Sequence, residues 1–200
     1  MSQFLSFAGF ELRYHLRRPV NYVFMAMMFF LGFLFIASPA VRIGGVSGAV
    51  HINAPYVINT AVMILTLVGM IVTSAIAGTA ILRDFEFKTH ELLFTTRLRK
   101  SSFVFGRYVG AWVVTVIVLA CCSLGLWLGA HMPWLDQDKL GPAVPGMYLW
   151  PLVLYVLPNA VFTCALFFAV GVLTRSFLAV YIQGVVLFVG WQIATNAISD

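Results

Sequence analysis

Five stretches of this 200-residue chain each run for nineteen residues or more without an Asp, Glu, Lys, Arg or His. They cover 20–38, 59–82, 109–130, 148–173 and 177–195. A helix crosses a bilayer with about 20 mostly apolar residues, so each stretch is long enough to span. The stretches are uniformly apolar, whereas barrel strands alternate in character. Hydrophobic residues make up 62% of the chain and charged residues 10%, against about 45–50% and about 25% in soluble domains. That composition excludes a soluble enzyme, a DNA-binding domain and a disordered regulator. Three cysteines, an odd number and all inside apolar runs, exclude a disulfide-built secreted module. The expected fold class is all-α, a polytopic transmembrane helix bundle of five spans.

Charge orients the bundle. With the N-terminus in the cytoplasm, the inner segments carry Arg13, Arg17, Arg18, Arg83, Lys88, Arg97, Arg99, Lys100, Arg107 and Arg175, and the outer loops only Arg42 and Lys139. This is a strong positive-inside bias. It accounts for the net charge of +5 through basic loops, with no nucleic-acid partner. About nineteen residues precede the first apolar run, which fills a whole bilayer, so it reads as an uncleaved span and not as a signal peptide. Trp134 and Trp150 suit an interfacial aromatic belt.

Two segments outside the spans carry pattern. Residues 2–18 read as an aromatic, basic helix ended by Pro19, expected to lie in the membrane interface; the plainer alternative is a basic tail. Residues 83–96 read as a short cytoplasmic helix. Asp84 and Glu86 fall in its first turn, where the helix dipole favours negative charge. Asp84 and Lys88 form an i,i+4 pair, with Glu91 on their face, while Phe85, Thr89, Leu92 and Thr96 share another. Arg97, Arg99 and Lys100 follow, placed for lipid phosphates, as Arg17 and Arg18 are after the first helix. The helix is either a surface element anchored by Phe85 and Leu92 or a docking knob for a cytoplasmic partner.

Several chemistries are missing from the sequence. There is no Gly-x-x-x-x-Gly-Lys-Ser/Thr loop for nucleotide. His90-Glu91 begins a zinc motif whose second histidine is replaced by Phe94. Cys121, Cys122 and Cys164 read as small apolar residues. His15, His51 and His131 lie far apart in sequence, with no obvious partners. Ion-coupled carriers place acids or histidines within their spans; here there are none, so energy for transport would enter elsewhere. Asn59, Thr66, Thr73, Ser74, Asn159, Thr163 and Gln183 read as helix-packing groups. The pairs Ser74/Gly78, Gly106/Gly110, Gly125/Gly129 and Ala165/Ala169 would allow close helix approach.

Taken together, Phe10–Tyr14 (Phe-Glu-Leu-Arg-Tyr), Arg18-Pro19, Arg83-Asp84-x-Glu86-x-x-Thr89-x-Glu91-Leu92-Leu93, Thr95-Thr96, Leu98-Arg99-Lys100 and Gly106-Arg107-x-x-Gly110 resemble the membrane subunits of type-2 (exporter-like) ABC transporters. The loop Met132–Asp136 and Leu157-Pro158-Asn159 are similar to the N-terminal membrane half of large permeases that carry a C-terminal zinc aminopeptidase-like domain. The resemblance implies a non-enzymatic permease in the cytoplasmic (inner) membrane, driven by a separate ABC ATPase subunit that holds ATP and Mg, and moving substrate in the export direction. It implies that 83–96 is the coupling helix, with Asp84, Glu86, Lys88, Glu91, Leu92 and Leu93 touching the ATPase. It also implies a second permease half, as homodimer or heterodimer, and membrane lipids as partners, with no cofactor, metal or catalytic residue in this chain.

The chain departs from the family pattern in two ways. Arg97 stands where a proline often follows the paired threonines. A family half usually has six spans, so a sixth is expected beyond Asp200. The competing reading is a non-transporting membrane anchor or assembly protein that binds a partner or lipid through its basic loop.

Overall fold

The computed structural model describes residues 3–38, 51–86, 100–135 and 140–199. Among these, 88% are helical and none lies in a strand, in agreement with the all-α expectation. The helices are α1 (Gln3–Arg17), α2 (Pro19–Ala37), α3 (Pro55–Glu86), α4 (Lys100–Gly129), α5 (Pro145–Pro151), α6 (Leu157–Thr174) and α7 (Phe177–Ser199), with a wide π-helical turn at Leu152–Val156 joining α5 to α6. Among the described residues, five spans are long and apolar enough to cross a membrane: Pro19–Ala37, Pro55–Arg83, Ser101–Gly129, Pro145–Thr174 and Phe177–Ala197.

Local chemistry explains most of the boundaries. α2, α3 and α5 open on proline, whose fixed φ and missing N–H suit a first helical position. Pro151 and Pro158 cannot donate to the carbonyls four residues before them. Between these prolines the helix widens, and the Leu157 N–H reaches the Leu152 carbonyl, five residues back. α6 stops at Thr174 because Arg175 turns left-handed, at φ 50°. Its N–H returns to the Gly171 carbonyl at 3.0 Å, the usual αL helix ending with arginine in place of glycine.

The second and third spans are longer than the apolar runs at 59–82 and 109–130. α3 does not break at Arg83 but continues to Glu86, so the expected start of a separate coupling helix at 83 is corrected. α4 likewise begins before Arg107, at Lys100. In both helices a charged residue suggested an end in the sequence. In the structure Arg83 and Arg107 are buried and bonded within the protein, so neither has to leave the helix for water.

The described chain forms two compact units. The first comprises 1–18, 70–115 and 160–200. Here α3 meets α6 where Gly171 lies against Ile81 and Leu82, and meets α7 where Gly184 faces Ser74 and Gly78 faces Val180. Ile76, Ala77, Ala80, Ala111, Val114, Phe167 and Val180 form its interior. The second unit comprises 19–69 and 116–159. In it α2 crosses α4 at near-backbone distance: a Cβ on Gly32 would stand 2.2 Å from the Cys122 carbonyl oxygen, and one on Gly125 would stand 2.1 Å from that of Phe29. In lipid, such close packing replaces the hydrophobic drive that holds helices together in water. Beyond the spans of this unit, the Asn53 side chain donates to the Gly141 carbonyl at 2.7 Å and accepts from its N–H at 2.7 Å, tying two connections together.

The small-residue pairs thus have assigned uses. Ser74/Gly78, Gly106/Gly110 and Gly125/Gly129 all face helices of the same chain, while Ala165 and Ala169 are exposed. Polar side chains in the spans largely serve their own helices. Thr66 and Thr79 return hydrogen bonds to Val62 and Ala75, and Ser74 to Ile71, as groups in a bilayer must. The Cys164 thiol donates to the Thr115 hydroxyl at 3.6 Å, and all three cysteines are free thiols.

A glycine exchange separates crossing contacts from helix propensity. Gly125→Ala drives a methyl into the Phe29 backbone and should lower thermal stability in detergent by about 1–3 kcal/mol, the usual cost of overpacking. Gly190→Ala, with nothing within 4 Å, should leave stability unchanged or slightly raised. Equal melting temperatures for the two variants would contradict the crossing.

Candidate functional site

The amphipathic character of α1 contains an unusual element. Its inward stripe is Phe4, Phe7, Ala8, Glu11 and His15, at helical spacing. Glu11 and His15 are fully buried, at 0% and 1% exposure. A carboxylate without solvent is costly unless it is paired and hydrogen-bonded, and here the pairing is supplied by other helices.

Arg83, in the last turn of α3, reaches Glu11 with both guanidinium ends: Nη2 to Oε2 at 3.0 Å and Nη1 to Oε1 at 3.4 Å. The His15 ring, one turn along α1, places Nε2 3.2 Å from Oε1. Arg107 of α4 contributes a second buried cation, whose Nη1 donates to the Ala80 carbonyl at 2.7 Å. Aromatic faces cover the guanidinium groups. Arg83 lies 3.9 Å from the Tyr14 ring centre and 5.6 Å from that of Phe10, and Arg107 lies 4.5 Å from that of Phe103. Arginine suits such a site because its planar group pairs with a carboxylate along its edge while stacking on its faces.

Two glycines allow α1 to approach. A Cβ on Gly110 would stand 2.6 Å from the Glu11 Cβ, and one on Gly106 would stand 2.7 Å from the Phe7 Cβ. The Gly106-Arg107-x-x-Gly110 segment therefore acts as a single device: two gaps seat α1, and the arginine between them supplies charge. Phe7 closes this contact edge-on against Phe103, at 5.4 Å between ring centres.

Burial tends to raise the Glu11 carboxyl. The His15 hydrogen bond and the charges of Arg83 and Arg107 outweigh it and hold the group below its ordinary value of 4.5. The cluster contains no nucleophile. Among the described residues no three His, Cys, Asp or Glu side chains gather as metal ligands. Its chemistry is that of a clamp between helices.

The structure corrects the reading of His15 as lacking a partner, and it separates Arg17 from Arg18. Arg17 is exposed, while Arg18 is half-buried 4.6 Å above the Tyr14 ring. Asp84 and Glu86 fall in the last turn of α3, and Lys100 opens α4. Lys88, Glu91, Leu92, Leu93, Arg97 and Arg99 lie outside the described residues. Glu11, His15 and Arg107 were not singled out as a site from the sequence. The available signal was one acid and one histidine four residues apart in the middle of an apolar stripe.

A family model described as ABC-2 family transporter protein matches residues 49–195. The chain belongs to the ABC-2 family. It is a multi-pass membrane protein and a permease component of an ABC transporter, a membrane transport part of a class that is typically non-enzymatic and in general works with an ABC ATPase. No curated protein and no solved structure matches it. The matched region of the ABC-2 chain includes Arg83 and Arg107, whereas α1 and Glu11 precede it. The clamp therefore joins the family's common region to an element outside the match.

Removing one partner of a buried pair leaves the other uncompensated, at a cost of about 3–5 kcal/mol. Glu11→Gln should lower stability by that order, and Glu11→Leu combined with Arg83→Met should recover most of the loss in a thermal melt. Because the folded carboxyl is held below 4.5, its contribution is present above that pH and disappears as pH falls through the lower folded value. An acid melt series should show this loss in the native protein and not in the double variant.

Proposed function

We propose that this permease receives the stroke of a separate ABC ATPase subunit through the segment between α3 and α4 and converts it into outward substrate movement across the cytoplasmic membrane. The observation that supports this reading is the clamp. Glu11 bonds Arg83 at the end of α3, and α1 is seated on the glycine gaps of α4. Both helices flanking residues 87–99 are thus held to one element, so a push on that segment would be shared among α1 and the adjoining ends of α3 and α4.

In this reading the N-terminus is cytoplasmic, and residues 83–96 carry the coupling element. Asp84, Glu86, Lys88, Glu91, Leu92 and Leu93 meet the ATPase, which holds ATP and Mg. A second permease half, identical or homologous, completes the pathway. Arg17, Arg97, Arg99 and Lys100 hold the cytoplasmic edge against lipid phosphates, whereas Arg18, stacked over Tyr14, leaves the expected set. The Met132–Asp136 and Leu157–Asn159 segments extend the proposal to the permeases that carry an aminopeptidase-like domain. Membership in the ABC-2 family favours transport over a purely anchoring role.

Charge reversal tests the contact surface. Glu91→Arg should leave membrane insertion intact and reduce the ATPase recovered with the tagged permease about tenfold or more. Undiminished recovery with both Glu91→Arg and Leu92→Arg would overturn the assignment.

A further inference from the structure

The clamp has a consequence for the opposite side of α1. The only acid in this helix, Glu11, faces inward and is neutralised by Arg83. The outward stripe is Gln3, Ser6, Phe10, Arg13 and Arg17, all exposed. These positions follow the i, i+3, i+7 spacing of one helix face. Phe10 is 58% exposed and lies one turn before Arg13, so apolar surface adjoins that guanidinium group, although one side of its ring is 5.6 Å from Arg83. Arg18 differs from Arg13 and Arg17, because its guanidinium lies over Tyr14. Among the described residues, no carboxylate pairs with Arg13 or Arg17.

We propose that the Phe10–Arg13–Arg17 face of α1 is a binding site for the headgroup phosphate of an anionic membrane lipid. Phe10 enters the acyl boundary, and Arg13 and Arg17, one turn apart, hold the phosphate. Charge complementarity identifies the occupant: the stripe offers two cations, no anion and an apolar margin, the arrangement that favours an anionic bilayer surface. The clamp fixes α1 in rotation, so the arginines are presented together. A free basic tail would have to order itself on binding. The site includes Arg13, which does not belong to the expected anchoring set, and excludes Arg18. It rests on the expected placement of residues 2–18 in the membrane interface and on the contact with lipid phosphates proposed above, and is independent of ATPase docking.

The test uses the full chain in detergent. Bound lipid is counted by native mass spectrometry after incubation with phosphatidylglycerol or with phosphatidylcholine. The native protein should retain phosphatidylglycerol in preference. Arg13→Gln with Arg17→Gln should weaken that retention roughly twenty-five-fold, taking about fivefold per arginine, while the elution volume stays unchanged. Arg175→Gln, a loss of charge elsewhere, should have little effect. Equal retention by the double variant, or an equal loss with Arg175→Gln, overturns the site.

A fluorophore on Ser6→Cys in vesicles checks the location separately: quenching by lipid-borne nitroxide is expected, and its absence would refute the surface placement itself. In the assembled transporter, protection of Arg17→Cys from labelling in lipid-free detergent would show a protein subunit on this face and would also overturn the proposal. Loss of ATPase recovery with lipid selectivity intact would count only against the coupling assignment.

Discussion

A buried carboxylate in an apolar protein is tolerable only if the fold brings cations to it, and this requirement organises one end of three helices. Glu11 is placed inward by the periodicity of α1. Once it is there, Arg83 and Arg107 have reason to remain inside, and α3 and α4 can extend beyond the points where a charge would otherwise end them. The pair is not best understood as a source of stability, since desolvation offsets much of the attraction between buried charges. Its contribution is specificity. Any other rotation or register of α1 leaves at least one charge without a partner, while the glycines at 106 and 110 admit the helix at one height along α4.

The second unit reaches close packing by other means. Gly32 and Gly125 remove side chains at the α2–α4 crossing, and the Asn53 amide copies a backbone pair to join the segments around 53 and 141. No charge takes part in these contacts. The crossing of α2 and α4 is backbone against backbone, whereas the clamp joins its helices through long side chains and aromatic faces.

Much of the fold was legible. The five apolar runs located the spans because a bilayer imposes length and composition on any helix that crosses it. The sequence reading closed the second span at Leu82 and opened the third at Val109, whereas the helix α3 runs on to Glu86 and α4 starts at Lys100. It placed Arg83 and Arg107 on the cytoplasmic side and had no means of seeing the carboxylate that pairs with Arg83 in the interior. The resemblance rested on Phe10–Tyr14, Arg83 and Gly106–Gly110 as separate fragments. The structure shows that these fragments touch.

The sequence by itself determined that this is a helical membrane protein, where its spans lie and which family it resembles, because lipid acts on each segment separately and leaves its mark in local composition. Only the tertiary structure decided the partners of Glu11, the use of the small-residue pairs within the chain, and which arginines of α1 face outward. Those outcomes depend on contacts between residues dozens of positions apart, 72 in the case of Glu11 and Arg83. Helical periodicity places a side chain on a face, and packing between helices determines what that face meets.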